Sequence, residues 1–438
     1  MSNPPTPAAA LGHRDIVRYG LPGLALAMLG IPLFLFVPPL FIDVLGLAAA
    51  PVGLALLLAR LLDVLVDPAA GHWCRTARRV RQMLLIGALV LLAGAALLFL
   101  PPGGAGVSWL FAGALLAYLG WTLVAVPLYA LGAALPERDA DRARLAVSRE
   151  GFVIAGTLLA LGVPVAASVV EDIAATMALL WWLLLVLLPL SVAALWPLAA
   201  RARWDAPQPW AAFMSRSAAL YRDREFRGLL GAYFLNAMAN GIPATLLVLY
   251  AVHVLDARAS LGWFLGAYLA AGLLALPAWL WLASRVGEAR AWLMSMLWAA
   301  AVFSSVPILG AGDVLAFALV CAATGLSVGA DNALPAAMQA SVAERLRVRA
   351  GGDDAGLVFG WWGMATKLAL AAGAAVGLVT VDLGGFDAAA PDADGRLALA
   401  LAYSLLPVAV KLLASALVWR SMHGQKGGET CVSTGCCS

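Results

Sequence analysis

The segment ARLLDVLVDPAAG, residues 59–71, places Arg60, Asp63 and Asp67 at intervals of three and four in an otherwise apolar run. On an α-helix those intervals fall on one stripe, so a guanidinium and two carboxylates would share a face. Two carboxylates one turn apart in a low dielectric repel, and one basic group compensates only one of them. The set becomes neutral only when it also holds a proton or a metal cation such as Na+. That is the chemistry of a reversible cation site. The bland alternative is a buried ion-pair network that merely joins helices, a task hydrophobic residues perform at lower cost.

Other polar residues interrupt apolar runs in the same way. Lys367, in WWGMATKLAL, is a second counter-charge for Asp63 and Asp67, or else a lysine that snorkels to the interface. Lys411, nearer the end of its apolar segment, fits snorkelling better. Tyr118, Trp121, Tyr129, Asn236, Asn240, Trp361 and Trp362 could line a solute path, although such residues as readily pack helices together. Arg149 could contact a solute or form a loop-edge salt bridge with its neighbour Glu150. No catalytic residue is expected: His13, His72, His253 and His423 fall in predicted loops or tails, and no His-rich metal box, G-x-S-x-G elbow or Walker loop is present. No cofactor is implied, and no metal beyond a Na+ at Asp63 and Asp67.

The elements that must position these residues are set by composition. Of the 438 residues 63% are hydrophobic and 12% charged, about half the charged share of a soluble domain. Apolar stretches long enough to cross a hydrocarbon core of about 30 Å as helices recur at 16–40, 46–68, 82–100, 108–134, 151–170, 176–199, 227–252, 260–283, 290–310, 313–338, 355–381 and 396–420. A charge within such a span costs roughly 2.5–3.5 kcal/mol, so each one needs a reason. Lys and Arg test the map independently, because short cytoplasmic loops retain positive charge. With the N-terminus inside, Arg60, Lys367 and Lys411 lie within spans, Arg258 and Arg396 lie outward, and every other one of the 28 basic residues lies inward. The net charge of +3 is thus a topology signal, and no basic stripe suggests nucleic acid.

The polar segment 200–226 divides the spans six and six, as fused six-helix repeats would. The expected organisation is a cytoplasmic tail (1–15), an N-terminal six-helix bundle (16–199), a cytoplasmic central loop (200–226), a C-terminal six-helix bundle (227–420) and a cytoplasmic tail (421–438). The start, MSNPPTPAAA, lacks a charged region followed by a cleavage motif and reads as a short tail. Cys74 falls in an inward loop, Cys321 in a span, and Cys431, Cys436 and Cys437 in the tail, all expected to stay reduced. The tail cysteines follow no metal-ligand spacing. A multi-pass inner-membrane protein, monomeric and in contact with the bilayer and a small solute, is the expectation.

The residues resemble the glycoside–pentoside–hexuronide:cation symporters of the major facilitator superfamily, typified by the melibiose permease. ARLLDVLVDPAAG (59–71), VPLYAL (126–131) with ERDADRARLAVSREGF (137–152), LPAAMQASV (334–342) and GLVFGWWGMATKLALAAG (356–373) carry the resemblance in the family's order. It implies an all-α membrane protein of twelve helices in two six-helix bundles, performing symport of a small solute with H+ or Na+. By resemblance Asp63, Asp67 and Thr122 hold the cation, Lys367 faces it, and Arg149 contacts the solute. The departures matter too. Val66 stands where sugar-transporting members have an asparagine, which removes a Na+ ligand and favours H+. Ala27 and Ala125 replace the two aspartates that accept from galactosyl hydroxyls, so a sugar-like solute other than a galactoside is expected, or an amphiphile such as a lysolipid.

Overall fold

A computed structural model describes residues 11–74, 76–135, 139–167, 172–202, 220–350 and 355–429, together with the single positions 169, 204, 215 and 218. The described residues form helices and connecting turns without a strand. Twelve helices are long and apolar enough to cross a membrane. They are α1 (His13–Leu35), α2 (Ala49–Trp73), α3 (Ala77–Phe99), α4 (Val107–Ala134), α5 (Asp139–Ala166), α6 (Ile173–Arg201), α7 (Arg224–His253), α8 (Leu261–Val286), α9 (Glu288–Phe303), α10 (Val314–Ala350), α11 (Ala355–Leu383) and α12 (Ala393–Glu429). In a bilayer every backbone polar group must be satisfied within the chain, which a helix does by itself.

Several helices outrun the apolar windows that announce them. Helix α5 starts at Asp139 instead of near 151, α10 runs on to Ala350, and α12 continues to Glu429 through half of the expected tail. The added turns of α5 and α10 are rich in Ala, Arg, Glu and Leu, good helix formers with no need of lipid, whereas that of α12 is SMHGQKGGE. Histidines expected in loops or tails instead occupy helices: His13 opens α1, His72 lies in the last turn of α2, His253 closes α7 and His423 lies within α12. Cys431, Cys436 and Cys437 lie outside the described residues, as does much of the 200–226 segment.

The chain divides into two compact units, Met1–Leu47 with Leu58–Gln208, and Ala48–Leu57 with Pro209–Ser438. Internally they repeat one plan. Helix α1 packs on α5 and α6 as α7 packs on α11 and α12, and α3 packs on α6 as α9 packs on α12. Packing between apolar helices in lipid lacks a hydrophobic driving force and relies on close backbone approach at small residues. A Cβ built on Gly94 would lie 2.2 Å from the Ala117 nitrogen, and one on Gly120 2.3 Å from the Leu91 nitrogen, so α3 and α4 touch backbone to backbone. Gly156 approaches Leu24 between α5 and α1, and Gly325 approaches Tyr268 between α10 and α8, equally closely. The start of α1 is tied to α5 by the buried Asp141, which accepts from the Leu11 N–H at 3.1 Å and pairs with Arg144 at 2.9 Å.

Candidate functional site

The α2 stripe reads out as its spacing predicts. Arg60 Nη1 donates to Asp63 Oδ2 at 3.0 Å, with both side chains buried. Across from them α4 supplies Thr122, whose Oγ1 lies 2.7 Å from Asp63 Oδ1 and 2.8 Å from Asp67 Oδ1. Asp63 and Thr122 have no exposed surface, while Asp67 is half-buried. One turn before Thr122, Tyr118 presents its ring 3.5 Å from the Arg60 guanidinium carbon. That stack holds the cation in place while the Arg60 Nε makes no hydrogen bond among the described residues.

A hydroxyl has one hydrogen and can donate to only one of two carboxylate oxygens. Its second short contact is favourable only if the other carboxyl group itself carries a proton, or if a cation lies between them. Pro68 follows Asp67 within α2 and Pro127 lies within α4; neither has an N–H for the carbonyl one turn back, at Val64 and Leu123. The side-chain oxygens that meet here are those of two carboxylates and one hydroxyl, hard ligands of the kind Na+ would accept and transition metals would not. Among the described residues no group of three or more His, Cys, Asp or Glu could hold a metal.

Of the residues singled out from the sequence, Arg60, Asp63, Asp67 and Thr122 come together in this first unit. Arg149 makes the expected salt bridge, donating to Glu150 Oε1 at 2.6 Å, and its guanidinium also lies 4.9 Å from the Tyr129 ring centre. Tyr129 is more than half exposed. Trp121 meets Gly30 of α1, where a Cβ would sit 3.0 Å from the indole, so it packs helices together. Ala27 and Ala125 are buried and offer no side-chain acceptor.

The other singled-out residues belong to the second unit. Lys367 is half-buried on α11. Trp361 lies 5.6 Å from the Tyr221 ring, and Trp362 stacks on Tyr233 at 4.0 Å. Asn236 and Asn240 are already engaged. Both accept through Oδ1 from Lys411 Nζ at 2.8 Å, and Lys411 gives its third hydrogen to Asp331 Oδ2 at 2.9 Å. Lys411 therefore does not snorkel. Its side chain is 6% exposed, and its partners come from α7 and α10. Asp331 was not singled out by sequence reasoning, although a lone carboxylate within span 10 demands a partner as much as Asp63 does.

The model of a family described as MFS/sugar transport protein matches residues 18–422. The chain belongs to this family. It is a membrane-spanning transporter of the major facilitator fold. No curated protein matches the chain. Among solved structures it is similar to the nucleoside transporter NupG, with a TM-score of 0.66 and 13% identity over 94% of this chain and 99% of that one. A D323A mutant of NupG matches with the same score and identity, over 93% of this chain and 100% of that one. At that identity the likeness speaks to fold.

Proposed function

We propose that the protein is a cation-coupled symporter of a small organic solute in the inner membrane, with both ends cytoplasmic, and that its coupling site is Asp63, Asp67, Thr122 and Arg60. The observation that carries this reading is the Thr122 hydroxyl within 2.8 Å of an oxygen of each aspartate. Such a site is electrically balanced with one cation aboard and repulsive without it. Occupancy then changes the relative stability of transporter states, and only such a difference lets a cation gradient do work on a solute. The coupling ion is H+. Val66 supplies no neutral oxygen beside Asp67, and a proton needs one carboxylate where Na+ needs a ligand shell.

The solute is sugar-like in size. Ala27 and Ala125 give no grip for galactosyl hydroxyls, and the fold shared with a nucleoside transporter is compatible with sugar-sized solutes. Arg149 and Tyr129 contact it from the first unit. No enzymatic step is part of this reading.

Purified protein in liposomes tests it. A solute found by thermal-shift screening of sugars, sugar acids and lysolipids should accumulate against its gradient when the outside is made acidic. Accumulation that persists after the proton gradient is collapsed, and follows Na+ instead, would replace H+ by Na+. Accumulation with neither gradient would remove coupling altogether.

A further inference from the structure

The second unit holds a buried charged node that the proposed coupling site does not use. Lys411 on α12 spends all three ammonium hydrogens on Asn236 Oδ1, Asn240 Oδ1 and Asp331 Oδ2. Asp331 on α10 accepts from Lys411 and from Asn240 Nδ2 at 3.0 Å through Oδ2, and from Trp292 Nε1 at 3.1 Å through Oδ1. Lys411 is 5% exposed and Asp331 8%, whereas Asn240 is half-buried, so the node is not sealed on the α7 side. The other titratable groups around Asp331 are Tyr268 from α8 and Tyr233 from α7. Helix α9 presents Trp292, and α11 carries Lys367 as its mid-helix ionisable side chain.

Two opposite charges in a low-dielectric interior make a neutral node, and neutrality restricts what can be added to it. An anion entering alone would leave a net negative charge there. A proton entering alone would leave Lys411 uncompensated. Both together leave the node neutral. From this arrangement we infer that Lys411 is a proton-gated site for a monoanionic carboxylate group on the solute. The proton goes from water to Asp331 Oδ2, which releases the third Lys411 hydrogen. The incoming carboxylate oxygen takes that hydrogen, and Asn236 and Asn240 keep the other two. No covalent bond to the solute forms, and release of the anion returns the proton to water. The asparagines are suited to this because their neutral oxygens orient the ammonium without competing for its charge, and the Trp292 N–H stays on Asp331 Oδ1 in both states.

The inference deepens the symport reading by naming a solute class and a second proton, and it rests on that reading for its transport role. The binding step can be measured alone. Gluconate, benzoate and octanoate, each beside its uncharged amide, are titrated into the native protein by calorimetry in buffers of different ionisation enthalpy. At least one carboxylate should bind with uptake of one proton, its apparent affinity falling tenfold per pH unit in the alkaline range, while its amide does not bind. Asp331→Asn, a permanent mimic of the protonated acid, should bind the same carboxylate with no proton uptake and no pH dependence. Lys411→Gln should lose about a hundredfold or more in affinity, and the double variant Asp331→Asn/Lys411→Gln, neutral throughout, should fold and not bind.

Binding that is unchanged in Lys411→Gln, still proton-linked in Asp331→Asn, or not detectable for every carboxylate with the native protein would overturn the inference. Asp67→Asn separates the two proposals, because it should leave this binding intact while removing the share of gradient-driven accumulation that the Asp63 and Asp67 cation drives. Normal accumulation in Asp67→Asn would sink the coupling site and leave the Lys411 result standing.

Discussion

Thr122→Val keeps the shape of the side chain and removes the hydroxyl that faces both aspartates. In the cation-loaded site that hydroxyl donates one bond and accepts another, at 2.7 and 2.8 Å, with no solvent to replace them. In the empty site one of the two contacts sets a lone pair against a carboxylate, so only about one bond's worth of free energy distinguishes the states. A hydrogen bond to a charged group is worth about 1.5–3 kcal/mol, so the loaded state loses about 2 kcal/mol relative to the empty one. That corresponds to roughly thirtyfold weaker cation binding. The sign follows: weaker proton binding demands more protons, so half-maximal uptake should move to the acid side by about 1.5 pH units. Thr122→Ser restores the hydroxyl and should stay near the native profile. Uptake in proteoliposomes, followed as a function of external pH at fixed membrane potential, reads the shift. A Thr122→Val profile that overlays the native one would refute the reasoning, since the hydroxyl would then make no difference between loaded and empty states.

Arg60→Gln and Asp63→Asn should each destabilise the protein, and the double variant should recover about 1–3 kcal/mol relative to their sum, because the pair is buried and joined at 3.0 Å; additive losses in detergent unfolding would contradict the pairing. Burial pushes the Cys74 thiol up to about 12, and its hydrogen lies toward Met83 Sδ at 3.4 Å. At pH 8 roughly one thiol in ten thousand is thiolate, so with the other four cysteines changed to serine, iodoacetamide should label Cys74 only after denaturation. Rapid native labelling would show that the turn between α2 and α3 opens. Gly120→Ala forces a methyl against the Leu91 backbone nitrogen and should cost at least about 1–3 kcal/mol, whereas Gly228→Ala, with nothing within 4 Å, should be neutral or stabilising; equal melting temperatures would show that α3 and α4 separate freely.

The α2 site was legible because its logic is local. Three charges on one helix, three and four residues apart, fix their own geometry, and the cost of charge in lipid supplies the motive. Thr122 is 59 residues from Asp63 in sequence, and no periodicity connects them; only the family resemblance placed it. The Lys411 node was misread for a related reason. Its partner Asp331 lies 80 residues away, and a lysine nine residues from the end of the apolar span 396–420 looks able to reach water. What decides otherwise is the pair of asparagines on α7, read from the sequence as candidate solute contacts. The spans themselves were evident from apolar runs, but helix ends were not, because hydropathy marks where lipid begins and helix propensity marks where the helix stops. The turns after Asp139 and Met338 are charged yet strongly helical.

Coupling depends on a cation shared by Asp63 and Asp67, and the most direct test is accumulation of the identified solute by liposomes holding Asp67→Asn protein under an inward proton gradient. Native protein should concentrate the solute well above the external level. The variant should concentrate it markedly less, losing the share driven by the cation of Asp63 and Asp67 with downhill exchange retained, because that site no longer distinguishes loaded from empty states. Accumulation by the variant to the native level would contradict the account and place the coupling elsewhere in the chain.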